Sequence, residues 1–190
     1  MVEPRVPDAG GGDGHDGEES APERVALPCG ESLRRDAIDL GMREYDCACG
    51  ARHAVVLDVH PPSRFLPESV VEVLRETVAP SETDAFEEFG TPHLLGVVLE
   101  EFPDDVVAVD ASGDAAAGYG LLWVTDFDAR TLHEHVVELV VELMEHAVSH
   151  SRDDGARGEF EAQLFDFDVS EFVATYRAER DFADEFDRPA

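Results

Sequence analysis

The chain has 190 residues, 43% of them hydrophobic, with 44 Asp and Glu against 14 Arg and no Lys, for a formal net charge of −30. That is enough apolar material for a core without a disulfide scaffold, and too short a chain for two full-sized enzyme domains. No run approaches the roughly 18 uninterrupted apolar residues of a membrane span, and the N-terminus lacks a basic-then-apolar leader, so a cytoplasmic protein with no membrane partner is expected.

Residues 1–24 gather Gly10, Gly11, Gly12, Gly14 and Gly17 among acids and little else, the composition of a disordered acidic tail. A single globular domain is expected over 25–180, with an acidic, fraying terminus over 181–190. Val25 and Leu27, then Ala54 to Val59, read as short strands bracketing a cysteine-bearing region that Pro61-Pro62 ends. From Pro67 the period changes: Val70, Val71, Val73, Leu74 and Val78 recur at three and four, predicting a helix closed by Pro80. Ser81 can cap a short acidic helix ending at Gly90, and Thr91 as cap with Pro92 at the first helical position opens another through about Phe102. Val106 to Val109 and Tyr119 to Thr125 predict strands joined through Ser112-Gly113-Asp114 as a hairpin.

The longest predicted helix runs from Ala129 to His150 with Asp128 as its cap. Its Leu and Val residues span an arc of about 200°, wide enough for packing on two sides at the centre of the core. Beyond Gly155 and Gly158, Phe160, Leu164, Phe165 and Phe167, then Val169, Phe172, Val173 and Tyr176, predict one or two further helices. No internal repeat is apparent. The expected fold class is α+β: a small zinc-ribbon-like β element over 25–60, a β-hairpin, and a predominantly helical core around one long central helix.

Cys29, Cys47 and Cys49 are the only cysteines, clustered as C-x17-C-x-C with His53 four residues on. Three thiols in a reducing compartment do not make a closed disulfide framework, which leaves metal binding or inert burial. A glycine follows Cys29 and Cys49, as it does in zinc knuckles, where the turn aims backbone N–H groups at the thiolate. Cys47 and Cys49, two apart on an extended segment, would face one side, and His53 would complete a tetrahedral set of three thiolates and an imidazole around a structural zinc. The alternative is that the thiols merely pack and His53 lies on the surface. Without His53 the site would keep an open, catalytic position, or His60 would be the fourth ligand.

His135, Glu138, Glu142 and His146 share one face of the long helix, with His150 a turn further. Such a face can chelate a divalent metal and generate a hydrolytic water, but it is also where an acidic protein places solvated charge. The pairs Asp104-Asp105, Asp126 with Asp128, and Asp166 with Asp168 arise readily from 44 acids. No nucleophile elbow, phosphate loop or dinucleotide fingerprint is present.

Taken together, Leu27-Pro-Cys-Gly-Glu-Ser-Leu33, Met42-Arg-Glu-Tyr-Asp-Cys-Ala-Cys-Gly50 running into Ala54 to Phe65, and Glu134 to His150 resemble a family of small uncharacterised haloarchaeal proteins classed as a domain of unknown function. The charge fits that resemblance, since molar intracellular salt shortens the screening length to about 3 Å and relieves the self-repulsion of −30. The resemblance implies no activity. The residues favour a non-catalytic, zinc-stabilised interaction or regulatory module with a protein partner. A metal-dependent hydrolase using the His135, Glu142, His146 face is the alternative. A zinc-ribbon nucleic-acid module is a minor one, since Arg24, Arg34, Arg35, Arg43 and Arg52 fall around the cysteines.

Overall fold

The computed structural model describes residues 24–77, 88–112, 117–149 and 167–180. The architecture is α+β: among the described residues, two antiparallel sheets and four helices. β1 (Arg24–Ala26) and β2 (Ser32–Arg34) pair as a two-stranded ribbon. β3 (Glu44–Asp46), β4 (Arg52–Leu57), β5 (Val106–Asp110) and β6 (Leu121–Thr125) form a four-stranded sheet in the order β3-β4-β6-β5. The predicted β5–β6 hairpin is present, and β4 joins it to the cysteine-bearing segment by pairing Val55 with Val124 and Leu57 with Leu122.

β4 is apolar on both faces because it has a layer on each side. Side chains alternate along a strand, so Ala54 and Val56 face one layer, and His53, Val55 and Leu57 the other. Ala54, Val56 and Trp123 pack with Val71, Leu95, Leu132, Val136 and Val173 in the helical core. Val55, Leu57, Leu122 and Val124 pack with Val25, Leu27 and Leu33 of the β1–β2 ribbon. Each fully buried Val or Leu here contributes roughly 1.5–3 kcal/mol over an exposed one, so both layers matter to stability.

The helices are α1 (Glu68–Thr77), α2 (Thr91–Glu101), α3 (Ala129–Ser149) and α4 (Val169–Glu179). Asp128 caps α3 as expected, its Oδ1 accepting the Thr131 N–H at 2.7 Å. α3 packs against α2, α4 and β4, as its wide apolar arc predicts. Its fully buried positions, Ala129, Leu132, His133, Val136, Val137 and Val140, lie in the first three turns, while Leu139, Leu143 and Met144 are only partly buried. The start of α2 differs from expectation. Gly90 is the cap and Thr91 the first helical residue, and the Thr91 hydroxyl is turned away from the helix N–H groups it would accept as a cap, donating to the His60 carbonyl at 2.5 Å. The Tyr176 hydroxyl of α4 lies 2.7 Å from the Ser63 carbonyl oxygen and 2.6 Å from that of Leu66, pinning that helix to the turn at Pro62–Arg64 and the residues just after it. The expected N-terminal tail, the short acidic helix after Ser81, the phenylalanine-rich stretch around Phe160 and Leu164, and the C-terminal segment lie outside the described residues.

Candidate metal centre

Two tight turns build the site. In the first, between β1 and β2, the Leu27 N–H donates to the Glu31 carbonyl and the Gly30 N–H to the Leu27 carbonyl, both at 2.9 Å. In the second, between β3 and β4, the Cys47 N–H donates to the Ala51 carbonyl at 2.9 Å and the Gly50 N–H to the Cys47 carbonyl at 3.0 Å. Gly30 and Gly50 take φ of 87° and 91°, left-handed values that favour glycine. The flanking strands match too: Ala26 pairs with Ser32, and Asp46 with Arg52, each 20 positions later. No repeat is apparent in the sequence, yet the backbone has built one turn twice. What survives at the residue level is Cys-Gly in each, while Leu27 stands where the second turn has Cys47.

These turns correct one expectation. Cys47 and Cys49 do not lie on an extended segment; Cys47 opens the turn and Cys49 sits at its tip. They converge because the chain reverses between them, and the Ala51 N–H then points at the Cys49 sulfur at 3.4 Å. The Glu31 N–H does the same for Cys29.

The ribbon docks so that Cys29 Sγ lies 3.8 Å from Cys47 Sγ. His53, the first residue of β4 to face this layer, brings Nε2 to 3.6 Å from Cys49 Sγ. One ligating atom from each of Cys29, Cys47, Cys49 and His53 lies within 4.8 Å of the others, a group that could hold a metal ion. His53 is not the surface residue of the alternative reading: it is fully buried. Its Nδ1 lies 2.8 Å from the Thr125 carbonyl oxygen, with an Asp126 carboxylate oxygen at 3.3 Å. A carbonyl can only accept, so Nδ1 carries the proton and Nε2 presents its lone pair to the sulfurs. Thr125 and Asp126 were not legible as partners of His53 because they arrive through the β4–β6 pairing.

The thiols are unequal. Desolvation, opposed by the Glu31 N–H, pushes Cys29 up to about 11. The Ala51 N–H pulls Cys49 down to about 7. Cys49 at the exposed tip therefore ionises more readily than Cys29, and a cation bound among the sulfurs would displace their protons.

The other sequence candidates lie elsewhere. His60 is not the fourth ligand: its Nε2 is 2.8 Å from the Leu40 carbonyl oxygen and its Nδ1 accepts the Leu57 N–H at 3.1 Å. The His135 ring sits 4.6 Å from Phe102 and 4.7 Å from Phe127, with Nδ1 3.4 Å from Glu138, while His146 is exposed near the end of α3. Among the described residues the cysteine group is the one cluster of this kind, and the long-helix face brings no such set together. Asp128 and Asp168 are helix caps. Arg34 pairs with Asp36 and Arg52 with Glu44, and Arg35 is buried, so the local arginines are not assembled into an open basic face.

An α+β protein with a Cys3His cluster spanning two glycine-closed hairpins is what this fold and site define. The chain belongs to DUF5815, a family of unknown function, whose profile matches residues 25–180. No curated protein and no solved structure matches it. Among the described residues, no helix is long and apolar enough to cross a membrane.

Proposed function

We propose that Cys29, Cys47, Cys49 and His53 hold one structural zinc ion, and that the protein is a non-catalytic, zinc-stabilised interaction or regulatory module of a haloarchaeal cytoplasm, acting through a protein partner. The convergence of three sulfurs and one imidazole nitrogen carries this reading. Zinc bonds of about 2.3 Å to sulfur and 2.0–2.1 Å to nitrogen at tetrahedral angles separate two sulfurs by about 3.8 Å, and sulfur from nitrogen by about 3.5 Å. The 3.8 Å between Cys29 and Cys47 and the 3.6 Å between Cys49 and His53 suit those edges. The N–H groups aimed at sulfur and the carbonyl behind His53 are the outer contacts that such a site uses. Four protein ligands leave no open position for a reacting water, which favours a structural role over hydrolysis. The −30 charge, with arginine as the sole base, supports the high-salt habitat.

The test is metal content by mass spectrometry on the full chain, purified in concentrated KCl without a histidine tag. Wild type and His146→Ala should each carry one zinc, and Cys47→Ala should carry none. Metal-free wild type, or zinc retained by Cys47→Ala, overturns the proposal.

A further inference from the structure

The three thiols of the metal centre differ in access. Cys49 is exposed at the tip of its turn, while Cys29 and Cys47 are half-buried. Their sulfurs all lie within 4.8 Å of one another, so an S–S bond of about 2.05 Å needs only a local closing of the turns. A small oxidant from solvent meets Cys49 first, because oxidation follows thiolate character and exposure.

The two possible partners of Cys49 are not equivalent. Cys47 is two residues away, in a turn already closed by the bond from the Gly50 N–H to the Cys47 carbonyl, so a disulfide between them would strain a small ring. Cys29 is free of that restriction. It comes from the separate β1–β2 turn, which docks close enough to bring its sulfur 3.8 Å from that of Cys47.

We propose that this cluster is a peroxide-sensitive site, in which Cys49 is oxidised and Cys29 resolves it to a Cys29–Cys49 disulfide. The release of zinc rests on the metal site proposed above, whereas the bond rests on the sulfur geometry alone. The Cys49 thiolate attacks one oxygen of a hydroperoxide. An S–O bond forms as the O–O bond breaks, the sulfur gives up two electrons, and the departing hydroxide takes a proton and leaves as water. The Cys29 thiolate then attacks the Cys49 sulfur; the S–S bond forms, the S–O bond breaks, and the second hydroxide leaves as water. Two thiolates, one hydrogen peroxide and two protons give one disulfide and two waters. Zinc keeps only Cys47 and His53 and departs.

This exchange changes what is tied to what. With zinc, both turns are held to β4 through His53, whose Nδ1 is fixed at the Thr125 carbonyl. The disulfide joins turn to turn and leaves His53 out, so oxidation unties the pair of turns from the sheet.

Tryptic mapping tests this, because cleavage after Arg24, Arg34, Arg43 and Arg52 puts Cys29 on peptide 25–34 and both Cys47 and Cys49 on peptide 44–52. The full chain as purified, in concentrated KCl, is treated with hydrogen peroxide, the remaining thiols are alkylated, and the fragments are sequenced by mass spectrometry. Released zinc is followed with a chromogenic chelator. The two peptides should be cross-linked through Cys29 and Cys49, with Cys47 alkylated and zinc released in step with the disulfide. Dithiothreitol with added zinc should restore the starting state, and Cys49→Ser should give no cross-link at the dose that converts wild type. A Cys47–Cys49 loop within 44–52, a cross-link through Cys47, sulfinic acid on Cys49 with Cys29 still alkylated, or a cross-link formed while zinc stays bound would each overturn the proposal. Metal-free wild type overturns the zinc site alone, and the same mapping on that chain still decides the disulfide.

Discussion

The carboxylate of Glu44, on β3, accepts the backbone N–H of Ala129, the first residue of α3, at 2.6 Å. Its second oxygen meets Arg52 of β4 at 3.0 Å, and the side chain is only 7% exposed. One acid thus ties the hairpin that carries two of the cysteines to the N-terminus of the longest helix, where a negative charge is favourable. Glu44→Ala should destabilise by about 1–3 kcal/mol, because it leaves the Ala129 N–H without its acceptor and Arg52 with only the longer Asp128 contact at 3.9 Å. Urea unfolding of the metal-loaded protein measures this, and a change below about 0.5 kcal/mol, typical of a surface site, would contradict the role.

His133 gives the fold a pH dependence of known sign. It is buried between Phe65 and Tyr176, with rings at 5.6 and 5.5 Å, and burial holds it down at about 4 against an ordinary 6.5. The unfolded chain then binds more protons than the folded one between those values, so the contribution is present above pH 6.5 and lost as pH falls towards 4. The shift corresponds to about 3 kcal/mol as an upper figure. Stability measured by denaturant across this range should fall with acid more steeply in wild type than in His133→Leu. Equal slopes would show that His133 is not the group responsible.

Arg35 is 8% exposed, and among the described residues its Nε, Nη1 and Nη2 lie buried without a hydrogen-bond partner, with the Tyr119 ring 5.7 Å away and the Asp110 carboxylate interacting with its charge at longer range. Burying a guanidinium so poorly compensated is costly. Arg35→Met keeps the volume and should raise stability by about 1–3 kcal/mol. A raised midpoint of chemical denaturation is the expected result, and a lowered one would reveal a partner for the charge.

Gly30 and Gly50 offer a test of the duplicated turn. A Cβ at either position would meet nothing within 4 Å, so substitution acts through the left-handed backbone alone. Gly30→Ala and Gly50→Ala should each cost about 1–2 kcal/mol, and by similar amounts. Thermal unfolding of the two variants side by side would contradict the equivalence of the turns if one were neutral.

How far the sequence carried depends on whether a feature is local. The Asp128 cap, the arc of α3 and the β5–β6 hairpin each rest on a few adjacent residues, and all stand as read. Cys47, Cys49 and His53 lie within one turn and one strand, so their spacing was informative, while their turn geometry was mistaken for an extended one because C-x-C without the Gly50 φ looks like alternation. Cys29 reaches them only through docking of the β1–β2 ribbon. His133 left a signal that was passed over: it falls in one row with Ala129 and Val137, on the apolar side of α3, where a titratable group is out of place.

Strand β4 is apolar on both of its faces, and that poses a problem of alignment. A slip of one residue against β6 would exchange Val55 and Leu57 for Ala54 and Val56, trading one greasy set for another, so hydrophobicity alone sets its register weakly. His53 breaks that degeneracy. The same slip would turn its imidazole into the helical layer and present Ala54 to the three sulfurs. The Cys3His cluster therefore acts as a detent on the sheet, recognising the one alignment of β4 in which a nitrogen meets the thiols.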